Sequence, residues 1–179
     1  VERVLADYFI EGGKSESSPF RLVPKASLKP GPRFVGPVVL GAFVEVFLAK
    51  EGHEGLVGIN LLEKMQLTTI PALFGAMLAG VACVLMGAGI PRAIPGVLDR
   101  LAAGEPAGLK IDVEGAQPGE EFVSTFNPQA FCGGTAPTLQ RPKFFAVISS
   151  ATLAMTLARK SNGRVDGFIV EGDTAGGHN

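Results

Sequence analysis

A histidine that follows two glycines, in Gly176-Gly177-His178, is the first candidate for chemistry in this sequence. The largely apolar run from Val165 to Val170 precedes it and predicts a buried strand. Paired glycines let the backbone approach a planar ligand closely, and a histidine beside them can act as a general base near neutral pH. On the residues alone, an ordinary polar surface histidine is the alternative interpretation.

Asn60 and the loop Gly87-Ala88-Gly89 each follow a strand-like run. The amide of Asn60 could face a ligand or cap a following helix, and both interpretations stay open. The loop lacks the G-x-G-x-x-G pattern of dinucleotide-binding folds and no P-loop lysine follows it, so it favours a tight turn into a helix opened by Pro91. His53 lies among charged residues and is predicted to be a solvated residue at a helix end.

Neither cysteine indicates a metal or a nucleophile. Cys83 and Cys132 are far apart, and with two histidines they form no familiar zinc-binding pattern. Cys83 lies in an apolar run and is predicted to serve packing. Cys132 has no neighbouring cation in sequence to lower its pKa. The sequence therefore predicts two reduced thiols and no metal site.

The composition indicates a globular chain with a small-molecule partner. Of 179 residues, 46% are hydrophobic, and 16 Lys and Arg balance 17 Asp and Glu. This balance gives no electrostatic footprint for nucleic acid or anionic lipid. No secretory signal opens the sequence, and the longest apolar stretch, Ile70 to Ile90, divides into a helix-like and a strand-like half. We expect a soluble cytoplasmic protein that contacts neither membrane nor nucleic acid.

The elements that must position these residues alternate along the chain. Residues 1–37 are rich in Pro, Ser, Gly and Lys and predict an N-terminal extension, whereas residues 38–179 form the regular domain. Residues 114–142 lack periodicity and predict an insertion or long loop. The remaining segments predict strands at 38–40, 55–61, 81–86, 109–113, 144–149 and 165–170, and helices at 43–50, 72–79 with Thr69 as its cap, 94–103 and 152–160.

Strands separated by helices of this length predict βαβ units and a parallel sheet in an α/β fold. Continuous apolar strands such as residues 81–86 predict that the sheet is covered on both faces. Each loop that follows a strand then lies at the carboxyl edge of the sheet, where such folds bind ligands. We expect four groups of residues to face this one rim: Asn60, Gly87-Ala88-Gly89, Ser149-Ser150 and residues 172–178.

The segment from Val170 to His178 resembles the active-site signature of the nitronate monooxygenase family, formerly called 2-nitropropane dioxygenases, which includes flavin-dependent enoyl-acyl-carrier-protein reductases. Val57 to Asn60 resembles the family's second-strand motif, and Met86 to Pro91 resembles the end of its third strand. Residues 42–53 and 60–66 resemble a branch of the family with long chains. The resemblance spans most of the sequence from about Phe20.

This resemblance implies a (β/α)8 TIM barrel with parallel strands that binds FMN. It makes His178 the catalytic base that removes the α-proton of a nitroalkane, or that assists binding of an anionic nitronate. It places Asn60, Glu171, Gly176 and Gly177 against FMN. Electron transfer from the nitronate and reaction with O2 are the chemistry of the cofactor.

The sequence departs from the family at three positions and in length. Glu171 stands where the family usually has glutamine, Thr174 where it often has glutamate, and Ser150 where many members have lysine. A (β/α)8 barrel typically needs about 250 residues, so we expect a partial barrel, truncated after strand five or six. Such a fragment is expected to bind FMN poorly and to be inactive alone.

Two alternatives to nitronate oxidation remain. The first keeps the fold and is a flavin-dependent reductase of enoyl thioesters, or an accessory reductase of polyketide or fatty-acid synthesis. The second is a non-catalytic barrel scaffold or inactive fragment, favoured by the residues at the three departing positions.

Overall fold

A computed structural model describes residues 1–175 of the chain, and these form a mixed α/β structure around a parallel sheet. The helices are α1 (Glu2–Tyr8), α2 (Pro32–Ala49), α3 (Gln66–Leu78), α4 (Ile94–Ala102), α5 (Pro128–Phe131) and α6 (Ala151–Lys160), and the strands are β1 (Gly58–Leu62), β2 (Cys83–Gly87), β3 (Ala107–Ile111), β4 (Phe122–Phe126), β5 (Lys143–Ile148) and β6 (Gly167–Val170).

Four strands form the main sheet in the order β1-β2-β5-β6, and all of them are parallel. A helix joins β1 to β2 and β5 to β6, which confirms the predicted βαβ units. Within residues 1–175 this sheet is open: no closed barrel is seen, and β1 and β6 each have one unpaired edge.

Only one face of the main sheet is fully buried. Val84 and Met86 of β2 and Phe144, Ala146 and Ile148 of β5 lie on this face and join the side chains of α3, α4 and α6 in the core. The opposite face carries half-exposed apolar side chains. The prediction that both faces are covered is therefore wrong for the described chain, because an apolar strand alone does not tell whether a second layer packs on it.

The predicted strand at 38–40 is also wrong, because these residues lie in the middle of α2. Pro32 occupies the first turn of this helix, where its missing N–H costs nothing. Helix α2 packs closely on α3 where Gly75 meets the backbone of Val39, and a Cβ at Gly75 would collide with the Val39 carbonyl oxygen. This tertiary contact overrides the strand preference of the valines.

Helix α2 is 18 residues long with a mean hydropathy of 1.6, and among the described residues it alone has the length and composition of a membrane span, by those two criteria only. Its buried residues are Phe34, Val39 and Val46. The expectation that the protein avoids membranes stays a prediction.

The predicted insertion contains regular structure. The sequence predicted that a strand at 109–113 belongs to the parallel sheet. This prediction is wrong, because β3 pairs antiparallel with β4 in a separate sheet. Strand β4 and the short α5 both lie inside the segment 114–142. Asn127 caps α5, with its side-chain oxygen accepting a hydrogen bond from the N–H of Ala130 at 3.2 Å. The segment therefore carries one strand of a hairpin and a short capped helix, between irregular stretches at residues 114–121 and 132–142.

The helix termini follow their sequence signals only in part. Gly80 and Gly104 follow α3 and α4 with φ of +72° each, as expected for glycines that end helices. Thr69 is not the cap of α3: the helix begins at Gln66, and the buried Thr69 donates its hydroxyl to the carbonyl oxygen of Met65 at 3.1 Å. Residues 1–37, predicted as an extension, contain α1 and the first six residues of α2.

Candidate functional site

The four parallel strands end at one rim of the sheet, as the sequence predicted. Two backbone hydrogen bonds extend the pairing past the strand ends: the N–H of Glu63 donates to the Gly87 oxygen at 2.9 Å, and the N–H of Glu171 donates to the Ile148 oxygen at 2.8 Å. Glu63 and Glu171 are thereby fixed at this rim, where ligands bind in open α/β sheets.

Asn60 lies two residues before the end of β1, on the open face of the sheet. It is in register with Leu85 of β2, which pairs in turn with Phe145 of β5, and Phe145 pairs with Gly167 of β6. The Asn60 side chain is exposed and forms no hydrogen bond with residues 1–175. Helix α3 begins six residues later, which excludes the interpretation of Asn60 as a helix cap.

The open face around Asn60 consists of apolar side chains and glycines. Its half-exposed or exposed apolar side chains, given by the strand register, are Leu62, Cys83, Leu85, Phe145, Val147 and Ile169. Gly58, Gly87 and Gly167 share this face. A Cβ at Gly58 would meet the Cys83 sulfur at 2.6 Å, and a Cβ at Gly167 would meet the Phe145 ring at 2.9 Å. The glycines let neighbouring side chains lie flat across the sheet.

The loop after β2 is held against Glu63, a residue that the sequence analysis missed. A Cβ at Gly89 would collide with the Glu63 carboxylate, whose Oε1 also accepts a hydrogen bond from Gln66 Nε2 at 3.3 Å. Ala88 between the two glycines has φ +55°, an unusual backbone conformation for a residue with a Cβ. The position of Glu63, three residues after Asn60 and just past the end of β1, is the sequence signal that could have identified it.

The residues after β5 and β6 differ in their roles. Ser150 caps α6, since its hydroxyl accepts a hydrogen bond from the N–H of Leu153 at 3.3 Å. Glu171 and Thr174 are exposed at the rim. Residues 172–175 turn back on themselves through a hydrogen bond from the N–H of Ala175 to the Gly172 oxygen at 3.1 Å. Gly176, Gly177 and His178 lie outside the described residues.

The remaining candidates lie away from the rim or have structural roles. His53 caps the end of α2, with Nε2 2.7 Å from the Ala49 oxygen and Nδ1 accepting the N–H of Gly55 at 2.9 Å. Both cysteines are free, and partial burial raises the pKa of the exposed Cys132 thiol. Within residues 1–175 no three His, Cys, Asp or Glu side chains converge on a possible metal site.

No family model, curated protein or solved structure matches this chain. Residues 1–175 have an α/β fold with an open, four-stranded parallel sheet. Near the carboxyl rim of this sheet lie the Asn60 amide, which has no hydrogen-bond partner among the described residues, and the carboxyl side chains of Glu63 and Glu171, beside an apolar face.

Proposed function

We propose that this chain belongs to an FMN-dependent oxidoreductase of partial (β/α)8 barrel architecture that oxidises alkyl nitronates with O2. The observation that carries the proposal is the position of Asn60. Its amide, which forms no hydrogen bond with residues 1–175, lies on the open apolar face near the rim, and Glu171 of this rim precedes the segment 172–178 in the sequence. The resemblance of that segment to the nitronate monooxygenase signature is the second support.

The residues of the open face fit a flavin. An isoalloxazine ring is planar and largely apolar, and its edge carries hydrogen-bonding groups. The side chains of Leu85, Phe145 and Val147 offer apolar surface to a ring plane, and the Asn60 amide, which can both donate and accept, offers a partner for its edge. Bound FMN supplies the electron transfer from nitronate to O2.

The chain's own residues have defined tasks in this proposal. Asn60 orients the ring by hydrogen bonding, and the apolar side chains exclude water from its face. His178, which follows two glycines in the sequence, removes the α-proton of a neutral nitroalkane and holds it on the imidazole. A nitronate has already lost that proton, so with this substrate His178 acts only through binding.

Only the nitroalkane has to lose a proton, so a comparison of nitroalkane and nitronate oxidation tests the role of His178 as a base. In the protein with bound FMN, His178→Ala is expected to lower nitroalkane oxidation by about 10²- to 10⁴-fold, the usual contribution of a general base. Oxidation of a preformed nitronate is expected to fall much less. Oxygen uptake with 2-nitropropane and with its nitronate measures both activities.

His53→Ala is the matched control, because His53 lies at the end of α2 and touches no part of the rim. We expect both activities to be unchanged in this variant. A protein that takes up no flavin would contradict the proposal, and so would equal losses in the two histidine variants. Reduction of an enoyl thioester by NAD(P)H without nitronate oxidation would replace the proposal with the reductase alternative.

A further inference from the structure

A second candidate site lies at the other side of the molecule, in a cleft of about 970 Å³. Three parts of the chain line it: the N-terminal segment with Val1–Val4 and Leu28–Pro30, the start of α2 with Val35, and the turn from β4 into α5 with Phe126 and Phe131. None of these residues belongs to the rim that carries Asn60. The cleft volume is at the upper end of the range for small-molecule sites.

The wall of the cleft is aromatic and firmly supported. Phe126 is buried and packs on Phe131 with ring centroids 5.6 Å apart, and both rings pack on the fully buried Phe74 of α3 at 5.1 and 6.0 Å. Phe131 is 40% exposed, so one part of this cluster faces the cleft. Val4, Val35 and Leu28 add aliphatic surface. An apolar ligand body therefore finds a preformed surface.

The charges of the cleft favour an anion. Arg3 and Lys29 line it, and neither forms an ion pair or a side-chain hydrogen bond with another described residue. Glu2 is the only carboxylate among the lining residues, so the lining side chains carry one net positive charge. Asn127 uses its oxygen to cap α5, so its amide NH2 remains available as a donor.

We propose that this cleft binds an amphipathic anion, an alkyl or acyl chain that ends in a carboxylate. The chain lies along Phe131 and the aliphatic side chains, and the carboxylate pairs with Arg3 and Lys29 and accepts a hydrogen bond from Asn127. This site is independent of the flavin proposal, because it shares no residue with the rim.

The test uses the fluorescent fatty acid cis-parinaric acid, which suits a chain without tryptophan. We expect saturable binding that lauric acid displaces at least tenfold more effectively than dodecanol or dodecyltrimethylammonium. Arg3→Gln and Lys29→Gln are each expected to weaken binding about three- to tenfold, in line with a partly exposed charged contact. Phe131→Ala is expected to weaken it at least tenfold.

Two surface variants serve as controls. Lys25→Gln removes an exposed charge of the same segment outside the cleft, and Phe9→Ala removes an exposed aromatic side chain outside it. Both are expected to bind like the parent chain. The proposal is overturned by an absence of saturable binding, by equal binding of acid and alcohol, by equal effects of Lys25→Gln and Lys29→Gln, or by displacement with FMN. The charge variants replace exposed residues, so they report on the site without unfolding the chain.

Discussion

Arg141 and Asp166 form an ion pair at the end of the sheet opposite the candidate site, with Nη1 2.6 Å from Oδ2 and side chains only 15% and 10% exposed. Arg141 also pairs with Asp99 of α4 at 2.8 Å and donates to the Arg164 carbonyl oxygen at 2.6 Å. The N–H of Phe144 donates to Asp166 at 2.9 Å. This network joins α4 to the beginnings of β5 and β6.

Asp166→Asn is expected to lower the free energy of unfolding by about 2–3 kcal/mol, since it leaves the mostly buried Arg141 with one carboxylate fewer. Urea unfolding followed by circular dichroism measures the change. Arg164→Gln is the matched control, because Arg164 pairs with the same carboxylate at 2.8 Å but is 73% exposed. Its expected effect is below about 1 kcal/mol. Equal losses of unfolding free energy in the two variants would contradict the claim that the buried pair of Arg141 and Asp166 provides most of the network's stability.

The same carboxylate predicts a dependence of stability on pH. Burial of Asp166 favours the neutral form, but the hydrogen bond from Phe144 and the charges of Arg141 and Arg164 outweigh it and hold the pKa below the usual aspartate value. A lowered pKa in the folded state stabilises the fold above the aspartate's ordinary pKa, and this contribution is lost as the pH falls through the lowered value. We expect the free energy of unfolding to fall less steeply with decreasing pH in Asp166→Asn than in the parent chain. An equal pH dependence in the two proteins would show that Asp166 does not contribute to the loss of stability in acid.

The crossing of α2 and α3 predicts opposite effects for two glycine substitutions. Gly75→Ala places a Cβ against the Val39 carbonyl and is expected to lower the free energy of unfolding by about 1–3 kcal/mol. Gly41→Ala in α2 meets nothing within 4 Å and is expected to raise it by about 0.5–1 kcal/mol. Thermal unfolding of both variants measures the difference. Equal shifts in the same direction would mean that the helices do not meet at Gly75.

The left-handed backbone of Ala88 predicts that glycine is better there. Ala88→Gly removes the clash that a Cβ causes at φ +55° and is expected to raise the free energy of unfolding by about 0.5–1 kcal/mol, after the greater entropy loss of glycine is subtracted. Ala103→Gly is the control, since Ala103 at the end of α4 has φ −78°. We expect this control to be destabilised by a similar amount. Destabilisation of both variants would contradict the loop conformation.

The main sheet could be predicted because its strands carry strong local signals. Residues 81–86 and 144–149 are short apolar runs bounded by turn residues, and they became β2 and β5 within two residues of the predicted bounds. The glycines after α3 and α4 and the basic last turn of α6 marked the carboxyl ends of these three helices. Parallel order followed from the intervening helices.

The failures have tertiary causes. The valines at 38 and 39 favour a strand locally, but they lie in a long helix whose backbone packs against Gly75 of α3, a contact that the local sequence does not reveal. The hairpin escaped detection because β4 lacks the alternation of polar and apolar residues that marks a strand: Ser124 is buried and Val123 is exposed, in a segment otherwise rich in turn residues. The common rim of Asn60 and Glu171 could be predicted from strand order. The contact between Glu63 and Gly89 could not, because it depends on a loop conformation.

The flavin proposal depends on whether the open face binds FMN. The most direct measurement titrates FMN into the isotope-labelled chain and follows backbone amide shifts by NMR, which detects even weak binding. The account predicts shifts concentrated on β1, β2 and β5 around Asn60, Leu85 and Phe145. It predicts that Asn60→Ala weakens binding about tenfold, the value of one hydrogen bond, whereas Gln117→Ala in the exposed hairpin arm has no effect. Shifts that are absent, that are scattered over the surface, or that persist equally in Asn60→Ala would contradict it.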